Sequence, residues 1–186
     1  MAAQSGMRQD ATMRDPITYR DMRPEDAATV AALVRQAFAH QSMPTDPPAS
    51  ALRVTRFDIA HHLTQGAGGV AHLGKAHPGE AQVGEAQLGG ALVGSALWIE
   101  QDGGLYIGRV AVAPSFRRRG IARHLLAMAE TACRRAVLPR LWLETRVALL
   151  DNRRLFASAG FVEISRHAHP GYAEPTFVRM EKRLIG

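Results

Sequence analysis

Apolar residues recur every three or four positions in several stretches of the chain, and this spacing predicts amphipathic helices. One helix is predicted over 24–39, where a proline and two acidic residues occupy the first turn. A second is predicted over 120–136, with one apolar face. The apolar positions of this face are Ile121, Leu125, Met128 and Ala132. Two more helices are predicted over 50–64 and 151–159, and Gly160 is the C-terminal cap of the latter.

Short apolar runs bounded by turn residues predict six β-strands. They span 16–20, 91–100, 105–113, 141–147, 161–166 and 176–183. The pair Asp102-Gly103 favours a tight hairpin between the second and third of these strands. Pro114 ends the third strand, because a proline cannot continue a central ladder. Strands interspersed with helices predict a single α/β domain with a mixed sheet.

Residues 71–95 form an internal repeat of pentapeptides, each opening with alanine and carrying glycine in fourth place. A period of five matches neither the helical period of 3.6 nor the strand period of 2. We interpret the repeat as a local expansion that lengthens a hairpin loop, since loops tolerate insertions at small entropic cost. Its outer units can be strand ends, and a functional repeat is the alternative. The polar residues 1–14 lack periodicity and predict a disordered arm, so that the domain covers 15–186.

The composition narrows the class of protein. The 186 residues include 23 Lys+Arg and 17 Asp+Glu, for a net charge of +6, which suits an anionic partner without identifying one. No apolar run approaches the ~20 residues of a transmembrane helix, and the first residues lack the apolar core of a secretory signal. The single cysteine, Cys133, excludes an internal disulfide. We therefore expect a cytoplasmic protein without membrane association.

The segment with the clearest chemistry is a strand that leads into a helix through the basic turn Arg117-Arg118-Arg119-Gly120. The first N–H groups of a helix have no internal partner, and the helix dipole is positive at that end. Gly120 lets a phosphate approach the backbone, and the arginines add charge. The turn predicts a pyrophosphate site, with a solvated basic turn as the alternative. Gly66–Ala71 superficially matches the dinucleotide fingerprint but opens no helix, so we assign it no role.

This segment resembles the acetyl-CoA motif of the GNAT family of N-acetyltransferases, which is R/Q-x-x-G-x-G/A after a strand ending in V-x-P. The matching residues here are Val112-Ala113-Pro114-x-x-Arg117-x-x-Gly120-x-Ala122. Asn152–Phe161 resembles the family's N-x-x-A-x-x-L-Y-x-x-x-G-F segment with shortened spacing, and 177–184 resembles its last strand. The helix opening at Arg23–Asp26 fits its first helix. The resemblance covers about 15–185 outside the repeat.

The resemblance implies a GNAT-like mixed, mostly antiparallel sheet of about seven strands flanked by about four helices. It also implies acetyl-CoA as cosubstrate, with its pantetheine arm bonded to the β-strand main chain like an added strand and its pyrophosphate at the basic turn. The residues implied in cofactor binding are Val110, Ala111, Val112, Arg117, Arg118, Arg119, Gly120, Ile121, Ala122 and Asn152. A primary amine would attack the thioester directly, and the N–H of Val110 or a neighbour would stabilise the oxyanion.

Such a reaction needs a base for the amine proton, and Glu144, in the middle of a strand, is the best candidate. The alternative is a structural ion pair between Glu144 and Arg146 or a helix arginine. Glu100, at a strand end, is a weaker candidate base. Many family members carry a tyrosine as proton donor in the last helix, but Phe156 stands there and cannot donate. Tyr172 is a candidate to donate the proton to the leaving thiolate in place of that tyrosine; the alternative is that the thiolate leaves unassisted.

We therefore expect an acetyl-CoA-dependent N-acetyltransferase whose acceptor is a small-molecule amine. The sequence leaves the oligomeric state open between a monomer and a homodimer. The acceptor-facing segments, expected at 40–64 and 167–175, contain no dense acidic patch, so a polycation is not favoured. An acyl-CoA-binding sensor or a degenerate transferase is the rival function. Nucleic acid is not expected, because a pyrophosphate accounts for the main basic cluster and aromatic residues make up only 6%. The histidine spacings predict no metal site.

Overall fold

A computed structural model describes residues 16–74 and 90–184. The β-strands are β1 (Ile17–Asp21), β2 (Ala67–Leu73), β3 (Leu92–Gln101), β4 (Gly104–Val112), β5 (Arg140–Arg146), β6 (Val162–His167) and β7 (Phe177–Arg183). The α-helices are α1 (Ala27–Ala39), α2 (Arg56–Gln65), α3 (Ile121–Arg135) and α4 (Leu150–Ser158), and short 3-10 turns occupy Pro24–Asp26, Ser50–Arg53 and Pro114–Phe116. None of these helices is long and apolar enough to cross a membrane. The predicted arm at 1–14 and repeat residues 75–89 lie outside the described residues.

The strands form one mixed sheet in the order β1-β2-β3-β4-β5-β7-β6. Neighbouring strands are antiparallel except β4 and β5, which pair in parallel through Leu105–Ile107 and Leu141–Leu143. The parallel pair follows from the connection between them, because α3 carries the chain back across the sheet before β5 begins. The predicted α/β class and the mostly antiparallel sheet are therefore confirmed.

Helices cover both faces of the sheet, and each face has its own apolar core. On one face, α3 and α4 pack against side chains of the central strands. This cluster includes Leu105, Ile107, Ile121, Leu125, Ala129, Cys133, Leu141, Leu143, Phe156 and Val178. On the other face, α1 and α2 pack against β2, β3 and β4. That cluster includes Val30, Val34, Ile59, Val70, Leu97 and Ala111. Each fully buried aliphatic side chain contributes ~1.5–3 kcal/mol, so these clusters fix the sheet that carries the site.

The predicted C-terminal cap of α4 is confirmed in its details. Gly160 has a left-handed φ of 92°. Its N–H donates to the carbonyl oxygen of Ala157 at 3.0 Å, and the N–H of Phe161 donates to that of Phe156 at 3.1 Å. The two phenylalanine rings meet edge to face with centroids 6.3 Å apart. This is a Schellman motif with its apolar contact.

Two elements differ from the sequence-based expectation. The helix predicted over 50–64 is interrupted, because Thr55 caps a new helix, α2. The Oγ1 of Thr55 accepts a hydrogen bond from the N–H of Asp58 at 3.3 Å, and the carboxylate of Asp58 accepts one from the N–H of Thr55 at 2.7 Å. β2 is absent from the prediction although it lies within the sheet. Its two adjacent glycines, Gly68 and Gly69, weaken the strand signal, and burial on both faces removes the alternation of apolar and polar residues.

Candidate active site

β4 and β5 diverge halfway along their length. Their pairing ends at Ile107 and Leu143, although β4 continues to Val112 and β5 to Arg146. The β3–β4 register shifts between Gly108 and Ala111, which marks a β-bulge in β4. Arg109, within this bulge, has a left-handed φ of 52°. Two neighbouring cavities lie at the divergence of the strands.

The larger cavity, of about 1130 Å³, lies between β4, the turn before α3, and α4. Nearly all the residues expected to bind cofactor line it. These are Val110, Ala111, Val112, Arg117, Arg118, Gly120, Ile121, Ala122 and Asn152. Arg119 is the exception: it is not among the lining residues, and its guanidinium carbon lies 5.2 Å from the centre of the Phe116 ring.

The turn at the start of α3 is shaped to receive an anion. Arg118 and Gly120 both have left-handed φ angles, 60° and 79°, and α3 begins at Ile121. Arg117 before them is extended, and the first N–H groups of α3 have no partner within the helix. A Cβ built on Gly120 would meet nothing within 4 Å, so the backbone is open to a ligand there. The geometry therefore fits a pyrophosphate at the mouth of the larger cavity.

Arg117 has a structural role that the sequence does not predict. Its guanidinium donates to the carbonyl oxygens of Ala37 at 2.9 Å and His40 at 2.6 Å. These carbonyls lie at the C-terminal end of α1, where the last carbonyl oxygens lack helical partners. The side chain of Arg117 thus connects the basic turn to α1. Arg118 and Arg123 also line the larger cavity and contribute positive charge to it.

The smaller cavity, of about 430 Å³, continues from the larger one on the β5 side. The residues common to both cavities are Phe38, Gln41, Val110, Leu149, Asn152 and Phe156. The smaller cavity is also lined by residues of β4, β5 and the segment before β7. Its polar lining includes Ser50, Tyr106, Arg109, Glu144, Thr145, Arg146 and His169. A group held in one cavity can therefore reach a group held in the other near Val110 and Asn152.

Glu144 lines the smaller cavity and is ion-paired across the sheet. Its Oε1 accepts from Nη2 of Arg179 at 2.9 Å and from Nε at 3.2 Å. Arg179 stands directly opposite Glu144 in the β5–β7 register and lies over the Trp142 ring at 4.3 Å. The alternative considered from sequence, an ion pair with Arg146 or a helix arginine, is wrong about the partner. The role of Glu144 as base stays a prediction.

The proton donor considered from sequence lies at the edge of the site. The hydroxyl of Tyr172 donates a hydrogen bond to Asp46, and this bond raises the pKa of the phenol. Tyr172 does not line either cavity. Tyr106, which the sequence does not single out, lines the smaller cavity. Burial, with a smaller effect of the Glu144 charge, raises the pKa of Tyr106, so its hydroxyl keeps its proton at neutral pH. Phe156 is buried and offers no hydroxyl at the junction of the cavities.

Three further residues line the smaller cavity although no sequence motif predicts that they do. Arg109 and Arg146 are separate arginines on different strands, and His169 lies in the loop before β7. Nδ1 of His169 is 3.2 Å from Nη1 of Arg146 and closer still to Oγ1 of Thr176, and it can accept from both when the ring proton is on Nε2. Partial burial, followed by the charge of Arg146, lowers the pKa of His169, so the imidazole is neutral at pH 7. Within residues 16–74 and 90–184 no cluster of His, Cys, Asp or Glu could hold a metal ion.

Comparison with known proteins identifies the family. Residues 51–161 match the model of the acetyltransferase (GNAT) family, and no curated protein matches the sequence significantly. The PaiA N-acetyltransferase of Thermoplasma acidophilum, solved in complex with coenzyme A, superposes with a TM-score of 0.67 at 14% identity, over 91% of this chain and 99% of that one. The IAA acetyltransferase of Bacillus cereus gives 0.59 at 18% identity, over 91% and 100%. A GNAT-family acetyltransferase of Staphylococcus aureus gives 0.66 at 14% identity, over 91% and 100%.

The chain belongs to the GNAT family of acetyltransferases. It is an N-acetyltransferase, and acetyl-CoA is its cosubstrate. The predicted family, enzyme class and cosubstrate are confirmed, and the structural neighbours share the fold of the sheet described above.

Proposed function

We propose that this N-acetyltransferase transfers the acetyl group to the primary amine of a small molecule, by direct attack of the amine on the thioester. The observation that carries the proposal is the pair of cavities that meet at Val110, Asn152 and Phe156, where β4 and β5 diverge. One reactant enters along each cavity, and the reacting atoms come together at the junction. The smaller cavity, of about 430 Å³, suits an acceptor of metabolite size.

Acetyl-CoA would occupy the larger cavity. The main chain of Val110–Val112, beyond the last residue of β4 that pairs with β5, would bond the pantetheine arm as an added strand. The turn Arg117–Gly120 and the first N–H groups of α3 would hold the pyrophosphate, with charge from Arg118. Asn152 would lie beside the thioester end of the cofactor, because it lines both cavities.

The chemistry at the junction assigns two roles to the chain. The N–H of Val110 would donate to the thioester oxygen as negative charge develops there, which stabilises the transition state. Glu144 would accept, directly or through one water, the proton that the ammonium form of the acceptor loses before it attacks, and the second proton passes to water as the new C–N bond forms. The C–S bond then breaks and coenzyme A leaves as a thiolate. Tyr106 would supply its proton, or water would, since Phe156 has none to give and Tyr172 lies outside both cavities and donates to Asp46.

Calorimetric titration with acetyl-CoA, followed by thiol release on a panel of small amines, tests the function. We expect micromolar binding and release of free thiol with at least one amine. Binding without thiol release on any amine would favour the acyl-CoA-binding sensor instead. The observation that favours a sensor is that Phe156 has no hydroxyl with which to protonate a leaving thiolate. Absence of binding would refute the placement of acetyl-CoA in the larger cavity.

The role of Glu144 has a matched control in the chain. Glu144→Gln should lower kcat at neutral pH by about 100-fold or more, the range typical of losing a general base, and leave the acetyl-CoA dissociation constant unchanged. Glu163→Gln also removes a strand carboxylate that pairs with arginine, at 2.8 Å from Arg153, but Glu163 lines neither cavity. Wild-type turnover by the Glu144 variant would exclude it as the base.

A further inference from the structure

The smaller cavity has an excess of positive charge. Its lining contains five titratable side chains, of which Tyr106 keeps its proton at neutral pH; the other four are Arg109, Glu144, Arg146 and His169. Glu144 is paired with Arg179, and partial burial and the charge of Arg146 lower the pKa of His169, which leaves its imidazole neutral at pH 7. Two guanidinium groups remain, one on each of the diverging strands. In the described part of the chain, neither of them takes part in an ion pair.

Arg146 is held in place by neutral groups only. Nη2 donates to the carbonyl oxygen of Pro47 at 2.7 Å, and Nη1 donates to His169 Nδ1 at 3.2 Å. These bonds join the two loops that border the cavity and use two of the five guanidinium donors. Partial burial lowers the pKa of Arg146, and only weaker effects of Tyr172 and Asp46 act in the opposite direction. Asp46 itself accepts from the Tyr172 hydroxyl. The side chain is therefore oriented and partly desolvated, and no carboxylate of the described residues forms an ion pair with it.

Arg109 faces the cavity from the opposite strand. Its only hydrogen-bond partner among the described residues is the hydroxyl of Ser50, 3.1 Å from Nη1. Its left-handed φ of 52° is unfavourable for a residue with a side chain, and such conformations concentrate at functional sites. Asp58 is influenced by the charge of Arg109, but its carboxylate is bonded to Thr55 at the start of α2 and forms no ion pair with Arg109. Arg109 lies next to Val110, at the junction of the two cavities.

We propose that the acceptor amine carries a carboxylate, as an α-amino acid does, and that Arg146 and Arg109 bind that carboxylate. The inference rests on the proposed function, because it concerns the acceptor of the same reaction. A planar guanidinium matches a carboxylate through two parallel hydrogen bonds, and a partly desolvated one binds it more strongly than a surface lysine would. The same two charges disfavour a second ammonium group in the cavity, so polyamines and lysine-rich tails are poor acceptors.

The test compares free L-amino acids with the corresponding L-amino acid amides as acceptors for the wild-type protein, by thiol release from acetyl-CoA. Each pair shares the amine and the side chain and differs in the carboxylate. The amide has the less basic amine and is the more reactive nucleophile near neutral pH, so a preference for the acid must come from binding. We expect kcat/KM for the best acid to exceed that for its amide by at least about tenfold, in line with a charge-assisted hydrogen-bonded pair.

Arg146→Gln and Arg109→Gln should each reduce that preference to about threefold or less, mainly through KM, with acetyl-CoA affinity unchanged. Arg109→Gln keeps the test valid if the loss of Arg146 disturbs the loops. Arg135→Gln is the matched control, because Arg135 is exposed at the end of α3 and lines neither cavity. Equal or better turnover of amides, or no turnover of any acid, overturns the carboxylate assignment. Failure of the proposed function would look different: the wild-type protein would show no acetyl-CoA binding in calorimetry, or no thiol release with any amine, amides included.

Discussion

Replacing Gly120 by alanine probes the anion-binding turn most directly. Gly120 has a φ of 79°, and a left-handed conformation costs a residue with a side chain about 1–2 kcal/mol. The added methyl group meets no protein atom within 4 Å, so the cost is one of backbone strain and not of crowding. If the backbone relaxes, the N–H groups at the start of α3 turn away from the bound phosphate. Loss of one charge-assisted hydrogen bond, about 1.5–3 kcal/mol, corresponds to a tenfold or larger rise in the dissociation constant of acetyl-CoA.

The chain contains a control that matches this variant in its backbone. Gly103, in the β3–β4 turn, has a φ of 68° and also leaves open space around an added Cβ, but it lines neither cavity. Gly103→Ala and Gly120→Ala should lose similar stability in urea denaturation. Only Gly120→Ala should bind acetyl-CoA more weakly by calorimetry. Wild-type affinity in a folded Gly120→Ala protein, or equal loss of affinity in both variants, would refute the pyrophosphate assignment.

Two further predictions concern stability. Burial tends to raise the pKa of Asp26, but hydrogen bonds from the Arg20 side chain and the Arg23 N–H outweigh it and lower the pKa. The Asp26 carboxylate therefore stabilises the fold fully above about pH 4, which is the pKa of an unfolded aspartate, and less as the pH falls through its lower pKa in the folded protein. The Tm difference between the wild type and Asp26→Asn should accordingly shrink below about pH 4. Gly160→Ala forces alanine into a φ of 92° and should cost about 1–2 kcal/mol in urea denaturation, whereas unchanged stability would show that the cap relaxes freely.

The parts of the site that the sequence predicts are those built from neighbouring residues. A strand, a basic turn and a helix start lie within Val110–Ala122, so the composition of one segment is enough to indicate the anion site. The cap at Gly160 is local for the same reason. Contacts between distant segments have no such signal. Arg117 reaches the end of α1 across 80 positions, and its place in the motif of the basic turn gives no sign of this contact.

Strand register explains the ion pair that the sequence could not assign. Glu144 could pair with an arginine on its own strand, on a helix or on a neighbouring strand, and the choice depends on how β5 and β7 align. The observed register places Arg179 opposite Glu144, and the two side chains form the ion pair. A shift of one residue would reverse the faces of all side chains on the strand. The apolar pattern indicates where most of the strands lie, but not which residue of the neighbouring strand each position will face.

The charge of the smaller cavity also bears on how the acceptor loses its proton. A primary amine enters mostly as an ammonium ion and must become neutral before it can attack. Arg109 and Arg146 both line that cavity, and nearby positive charge favours the neutral form of an amine. In the proposed reaction, therefore, the arginines that bind the acceptor carboxylate also offset part of the cost of deprotonation. Glu144 then needs to accept a proton that its surroundings already favour releasing, which is compatible with a carboxylate held in an ion pair with Arg179.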